Sequence, residues 1–231
     1  MIFDPLYFLF IAPAFLLSLW AQWRIKATFA QAQQVPTGMS GAEAARAVLD
    51  SAGLQNVAIE PVAGHLSDHY DPRAKVLRLS EPVYGAHNMA AVGVAAHEAG
   101  HALQDAQNYL PLVIRNFAVP AASFGSGISW LLIIGGAMFS AQVPGVGHML
   151  VWAGIAAFSC VVFFQLVNLP VEFDASNRAV AQLVERGIVS HDDRRWVRKV
   201  LNAAAWTYVA ATLQSVATLL YFITRFGGRR E

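Results

Sequence analysis

Four long apolar stretches interrupt the chain, and each is long enough to cross a bilayer, which takes about 20 apolar residues. They are Ile2 to Trp20, Phe117 to Ala141, Val146 to Leu169 and about Ala203 to Phe222. The second and third stretches exceed the usual length of a buried core helix. The pattern therefore predicts a mainly α fold, namely a multi-pass α-helical membrane protein.

The apolar stretches separate two polar segments and divide the chain into five parts. These are a first transmembrane anchor (1–23), a polar segment (24–115), a transmembrane hairpin (116–169), a second polar segment (170–201), and a last transmembrane helix with a basic tail (202–231). The hairpin crosses the membrane twice, so we expect both polar segments on the same side.

Charge supports the membrane interpretation and suggests an orientation. Only 13% of residues are charged and 56% are hydrophobic, against about 25% charged in soluble proteins. Arg24 and Lys26 follow the first stretch, whereas a secretory signal carries its positive charge in front. The first stretch is therefore predicted to be an uncleaved anchor, and the positive-inside rule predicts an outside N-terminus and cytoplasmic polar segments. The basic tail opposes this orientation, because a fourth crossing would place Arg225, Arg229 and Arg230 outside.

Composition also excludes some classes of function. The net charge of +1 gives no reason to expect a nucleic-acid partner. Cys160 is the single cysteine, so an internal disulfide and the zinc frameworks built from several cysteines are excluded.

Short elements can be predicted within the first polar segment. Ser40 and Glu43 have the spacing of a capping box, which predicts a helix from Ala42 to Ser51 that Gly53 closes. Val57 to Val62 and Lys75 to Ser80 have the composition and alternation of strands. They predict a small β-hairpin or sheet before the next helix. The second strand could be an edge strand that holds an extended peptide, or the pair could be purely structural.

A complete H-E-x-x-H motif follows at His97-Glu98-Ala99-Gly100-His101. We predict a helix over 88–107 with Asn88 as its N-cap, which places the two histidines one turn apart on one face. Two imidazoles in that arrangement can bind one Zn²⁺, and Glu98 beside them can serve as general base. The alternative is a helix with two histidines that are satisfied by other partners.

Catalytic zinc usually has a third protein ligand. Gln104 and Gln107 stand where a metzincin would continue its motif, so that class is excluded. Glu172 follows Pro170, which suits the start of a helix at the membrane surface, and it is the preferred third ligand. It could otherwise complement the helix dipole. The remaining candidate ligands are Asp174, His65, His69, His87 and His191.

Other side chains near these ligands have expected roles. Ser176 lies one turn beyond Glu172 and could hydrogen-bond a ligating histidine. Arg178 is expected to pair with a carboxylate such as Asp174. His65 or His69 could stabilise the oxyanion of a tetrahedral intermediate.

The motif regions resemble those of the bacterial neutral zinc metallopeptidases of the YugP type. The resemblance rests on Ala95 to Gln104 around the motif, Leu66 to Arg73, Leu77 to Ser80, Leu169 to Arg178 and Val200 to Ala211. It implies a multi-pass, zinc-dependent peptidase of the bacterial cell membrane. The chain is more distantly similar to the HtpX-type membrane proteases. That similarity assigns Glu172 as a ligand, and Ser176 stands where those proteases have aspartate.

These observations predict a membrane-embedded endopeptidase with a gluzincin-like domain and one Zn²⁺ on His97, His101 and Glu172. Its expected partners are protein or peptide substrates and the lipid bilayer, and its active site is expected on the cytoplasmic side. The main alternative is a non-enzymatic membrane scaffold or chaperone that retains a zinc site. A metal or proton transporter is a further alternative, but such a protein needs ionisable groups at mid-membrane, and the spans contain almost none.

Overall fold

The computed structural model describes residues 4–64 and 67–227, and within them the chain forms seven helices and three strands. In chain order these are α1 (Pro5–Gln33), α2 (Gly41–Ser51), β1 (Ala58–Val62), β2 (His69–Asp71), β3 (Val76–Ser80), α3 (Glu81–Tyr84), α4 (Met89–Ala106), α5 (Leu110–Phe139), α6 (Pro144–Glu185) and α7 (Arg194–Gly227).

Four of the helices, α1, α5, α6 and α7, are long and apolar enough to cross a membrane by length and composition. Where the structure describes them, the four predicted spans lie within these helices, apart from Asp4 before α1 and from Ser140 and Ala141 after α5. This confirms a mainly helical chain with four candidate transmembrane helices.

The predicted helix start at Pro170 is wrong, because α6 runs without interruption through Pro170 to Glu185. A proline inside a helix removes one backbone hydrogen bond, but its fixed φ is compatible with helical geometry. The long apolar segment before it and the packed segment after it hold the helix together across that position. Glu172 is therefore an interior residue of α6.

The chain divides into two compact units. The first unit comprises the described residues of Met1–Trp20, Val113–Leu169 and Tyr208–Glu231, and the second comprises those of Ala21–Leu112 and Pro170–Thr207. The core of the first unit is formed by large apolar side chains from α5, α6 and α7: Ile133, Val151, Ile155, Phe158, Val162, Tyr221 and Phe222.

Helix α4 lies at the centre of the second unit, because both of its sides are covered. One side, with Ala95 and Ala99, packs against α2 and β3. The other side, with Val92 and Ala96, packs against the second-unit parts of α6 and α7. The many alanines of α4 are suited to this position, since small side chains allow helices to approach closely from two directions.

The sheet has the order β1-β3-β2, with β1 parallel and β2 antiparallel to β3. The two predicted strands are found within a residue of their expected bounds, but they do not form a hairpin. The expectation that the strand at Lys75 to Ser80 lies at an edge is wrong, because β3 is central. The three-residue β2 supplies the reversal, and it is too short for its alternation to be recognised.

The capping box that predicts α2 is confirmed. The Glu43 amide donates to Ser40 Oγ, and the Ser40 amide donates to the Glu43 carboxylate. Together with α3, α2 packs against the side of α4 that is opposite the second-unit part of α6.

Candidate metal centre

The first half of the site is built by α4 alone. The Asn88 side chain caps this helix by accepting a hydrogen bond from the Ala91 amide at 2.9 Å, as predicted. His97 and His101 then project from the same face one turn apart. Their ring centroids lie 4.8 Å apart and the rings are nearly perpendicular, at 82°.

Glu172 of α6 completes the cluster from a position 71 residues beyond His101 in sequence. Its Oε2 lies 3.3 Å from His97 Nε2 and 3.7 Å from His101 Nε2. Within residues 4–64 and 67–227, these three residues form the one group of histidine, cysteine and carboxylate side chains that could hold a metal ion. The structure thus brings together the three residues that the sequence singles out.

The spacing of these atoms fits zinc. Ligand atoms at about 2.0–2.1 Å from a tetrahedral zinc are separated from one another by roughly 3.4 Å. The two distances to Glu172 bracket that value, and two imidazole nitrogens with one carboxylate oxygen are a common donor set for a catalytic zinc ion.

The outward-facing nitrogens of both histidines are also engaged. His97 Nδ1 lies 3.2 Å from Ser176 Oγ, and His101 Nδ1 lies 3.0 Å from Gln104 Oε1. Metal-binding histidines typically have their second nitrogen held in this way, which fixes the ring and the tautomer. Ser176 was anticipated from its spacing to Glu172. The role of Gln104 was missed, although its position three residues after His101 on the same helix face was a usable signal.

Close approach of α4 and α6 depends on Gly100, the fourth residue of the motif. A Cβ atom at this position would lie 2.7 Å from the carbonyl oxygen of Ala175, which is closer than a carbon can approach without displacement. The absent side chain allows the turn of α6 that carries Glu172 to lie directly against the histidines.

The site is largely shielded from water. The Glu172 side chain is 6% exposed, whereas Glu98 is partly exposed. A buried carboxylate is costly unless it is paired, so Glu172 requires either protonated imidazole or a metal ion beside it. The imidazoles of His97 and His101 lie beside Glu172, and the three side chains together could hold a metal ion.

Electrostatics at His101 reflect this requirement. Burial by itself lowers the pKa of His101, but the hydrogen bond to Glu172 and the negative charges of Glu98 and Glu172 outweigh burial and raise the pKa above its ordinary value. In the metal-free protein a proton therefore competes with a cation for the space between these side chains.

The other candidate ligands are placed elsewhere. The Asp174 carboxylate accepts hydrogen bonds from Gln104 and from Arg178, and Arg178 forms the expected ion pair with it. His69 lies on β2 with its Nδ1 2.7 Å from the Ser67 carbonyl oxygen. His87 and His191 are exposed and stand outside the cluster, and His65 lies outside the described residues.

Comparison with known proteins agrees with this geometry. Residues 7–227 match the protein family described as "Putative neutral zinc metallopeptidase". The chain is 46% identical over 228 residues to the "Putative membrane protease YugP" of Bacillus subtilis (strain 168), which covers 97% of this chain and 99% of that protein. No solved structure matches the chain significantly.

Proposed function

The chain belongs to this neutral zinc metallopeptidase family, and from that premise we propose that it is a membrane-embedded zinc endopeptidase with a gluzincin-like site. The observation that carries the proposal is the convergence of His97 Nε2, His101 Nε2 and a Glu172 oxygen, with the outer nitrogens of both histidines already held. His97, His101 and Glu172 would hold the zinc ion. When bound there, zinc would supply Lewis acidity that polarises a peptide carbonyl and acidifies water.

Glu98 is the proposed general base. It follows His97 directly, so it projects about 100° around α4 from that ligand, and its partial exposure leaves its carboxylate accessible to water. The Glu98 carboxylate accepts a proton from the attacking water and passes it to the departing amine, so one residue acts first as base and then as acid.

The proposed substrates are proteins or peptides. The relative from Bacillus subtilis is named a membrane protease, which supports peptide bonds as the target. The four apolar helices support a location in the bacterial cell membrane.

We further propose that the site faces the cytoplasm, since Arg24, Lys26 and the basic residues of 186–199 flank the proposed spans on that side. A reporter that is active only outside the cytoplasm, fused into the uncharged turn at 140–143, should be active, and the same reporter inserted after Gly53 should be silent. The reverse pattern would place the site on the outer face.

The decisive experiment for the activity is the substitution Glu98→Gln. This change keeps the shape and removes the base, so purified protein should retain about one zinc per chain and lose hydrolysis of a quenched-fluorescence peptide library. Glu172→Ala is the matched control, because it should lose zinc together with activity. An active Glu98→Gln protein would refute the mechanism, and Glu172→Ala protein with its full zinc content would refute the ligand set.

A further inference from the structure

Gln104 is a fully buried polar side chain at the centre of the second unit, with 0% of its surface exposed. It lies on α4 one turn beyond His101, and all of its polar atoms are used. The amide nitrogen Nε2 donates to the Val171 carbonyl oxygen and to the Asp174 carboxylate, each at 2.8 Å, while Oε1 lies 3.0 Å from His101 Nδ1.

These contacts fix the orientation of the amide. The Val171 carbonyl and the ionised Asp174 carboxylate can only accept hydrogen bonds, so the NH₂ group of Gln104 must face them. The carbonyl oxygen is then left to face His101. Because that oxygen can only accept, His101 Nδ1 must carry the proton, and His101 Nε2, on the side of Glu172, is the nitrogen available to a metal.

Asp174 is itself held firmly in this arrangement. Arg178 donates to the same Asp174 oxygen from one turn further along α6, and its guanidinium also donates to Gln107 Oε1. The guanidinium carbon lies 5.6 Å from the centre of the Tyr109 ring. Arg178, which holds the Asp174 carboxylate against Gln104, is therefore itself fixed by contacts with Asp174, Gln107 and Tyr109.

The bond to Val171 has a second effect, since Val171 immediately precedes Glu172 in α6. One amide therefore contacts His101 and also the helix turn that presents the glutamate. Loss of Gln104 would free the His101 ring to rotate, and it would remove a contact that holds the helix turn of Glu172.

We propose that Gln104 is a positioning residue for the metal centre: it sets the tautomer of His101 and fixes the Glu172 turn of α6 relative to α4. The inference rests on the proposed function, in that it takes His97, His101 and Glu172 to be the metal ligands. Comparable outer partners of metal-binding histidines change metal affinity by about 10–100-fold when they are removed.

The test compares Gln104→Met with Gln104→Glu in full-length protein in detergent micelles. Methionine keeps the approximate volume and removes every hydrogen bond. Glutamate keeps an oxygen that accepts from His101 Nδ1, but its second oxygen would face the Val171 carbonyl and the Asp174 carboxylate, which only accept. Zinc affinity, measured by competition with a chelator, should fall about 10–100-fold in Gln104→Met. Gln104→Glu should also bind zinc about tenfold or more weakly than the wild type, because an acceptor oxygen replaces the NH₂ group that holds Val171 and Asp174.

Gln182→Met is the matched control, because Gln182 also lies on a helix of the second unit but exchanges its side-chain hydrogen bonds with Glu185 and Arg186, away from the histidines. It should bind zinc as the wild type does. The visible spectrum of the cobalt-substituted protein gives a signature that general destabilisation does not mimic. It should change in Gln104→Met and remain unchanged in Gln182→Met.

A second measurement uses only the wild-type protein, so it does not depend on whether a variant folds. Nitrogen-15 NMR of the zinc-loaded wild type with labelled histidine rings should show His101 bound through Nε2 and protonated at Nδ1. Zinc bound through Nδ1, or a zinc affinity within twofold of wild type in either Gln104→Met or Gln104→Glu, would overturn the inference. A wild-type protein that binds no zinc at these residues would instead refute the proposed function.

Discussion

The substitution Gly100→Ala tests whether the close contact of α4 and α6 assembles the metal centre. The added Cβ would lie 2.7 Å from the Ala175 carbonyl oxygen and 3.3 Å from the carbonyl carbon and Cα of the same residue. Contacts between carbon and carbonyl oxygen normally begin near 3.3 Å. The two helices must therefore separate locally by roughly 0.6 Å, because the clashing atoms belong to backbone that cannot rotate away.

The consequence for zinc follows from the tolerance of its ligands. Metal–ligand distances in plausible zinc sites stay within about 0.2 Å of their normal values, which is less than the separation required. Side-chain rotation can absorb part of the change. We therefore expect a loss of zinc affinity of about tenfold to a hundredfold, similar to the loss when an outer partner of a ligand is removed.

The substitution has two opposing effects on the stability of the fold. Alanine gains up to about 1 kcal/mol over glycine within a helix, and overpacking a well-filled interior costs about 1–3 kcal/mol. The free energy of unfolding of the metal-free protein should thus decrease by about 2 kcal/mol or less.

Gly93→Ala is the matched control, because it makes the same change on the same helix. Its Cβ would meet the Val197 side-chain methyl Cγ1 at 3.2 Å rather than backbone, and a methyl group can shift. Chelator competition and thermal melting of both metal-free variants provide the comparison. Wild-type zinc affinity in Gly100→Ala, or an equal loss in Gly93→Ala, would refute the reasoning.

Three further predictions concern single contacts. Ser176→Ala should weaken zinc binding about two- to tenfold, because one neutral hydrogen bond contributes about 0.5–1.5 kcal/mol; Ser176→Asp should bind at least as tightly as wild type in the same competition assay. The metal-free protein should melt at a lower temperature as the pH rises above about 6.5. The pKa of His101 is raised in the folded protein, so protonated His101 stabilises the fold at low pH. This stabilisation is lost as His101 deprotonates. A His101→Gln variant that keeps the full pH dependence would disprove that origin. Asn88→Ala should reduce the free energy of unfolding by about 1 kcal/mol, whereas Asn88→Asp keeps an accepting oxygen and should remain near wild type in chemical denaturation.

The local elements of the second unit could be predicted well because their signals are local. Ser40 and Glu43 form the capping box that their spacing predicts, and Asn88 caps α4. Strands β1 and β3 were also found from alternation. Their parallel pairing could not be predicted, because it depends on β2, a three-residue strand that carries too little pattern to be recognised.

The metal centre was only partly predictable for a related reason. His97 and His101 are fixed by helical geometry, so four residues of sequence spacing place them together. The sequence favours Glu172 over Asp174, which lies two residues further along α6, and their contacts in the structure give the two carboxylates different partners. Asp174 is engaged by Gln104 and Arg178, while Glu172 faces the imidazoles.

The sequence by itself determined the helical spans, the caps and the two histidines with their intervening glutamate, because each depends on hydrophobicity or on spacing within one helix. Tertiary structure alone decided that α6 continues through Pro170, that Gly100 admits the Ala175 backbone, and that Gln104 joins His101 to the turn of Glu172. These features depend on where two helices meet, and helices distant in sequence meet through packing of their surfaces, which no local pattern encodes.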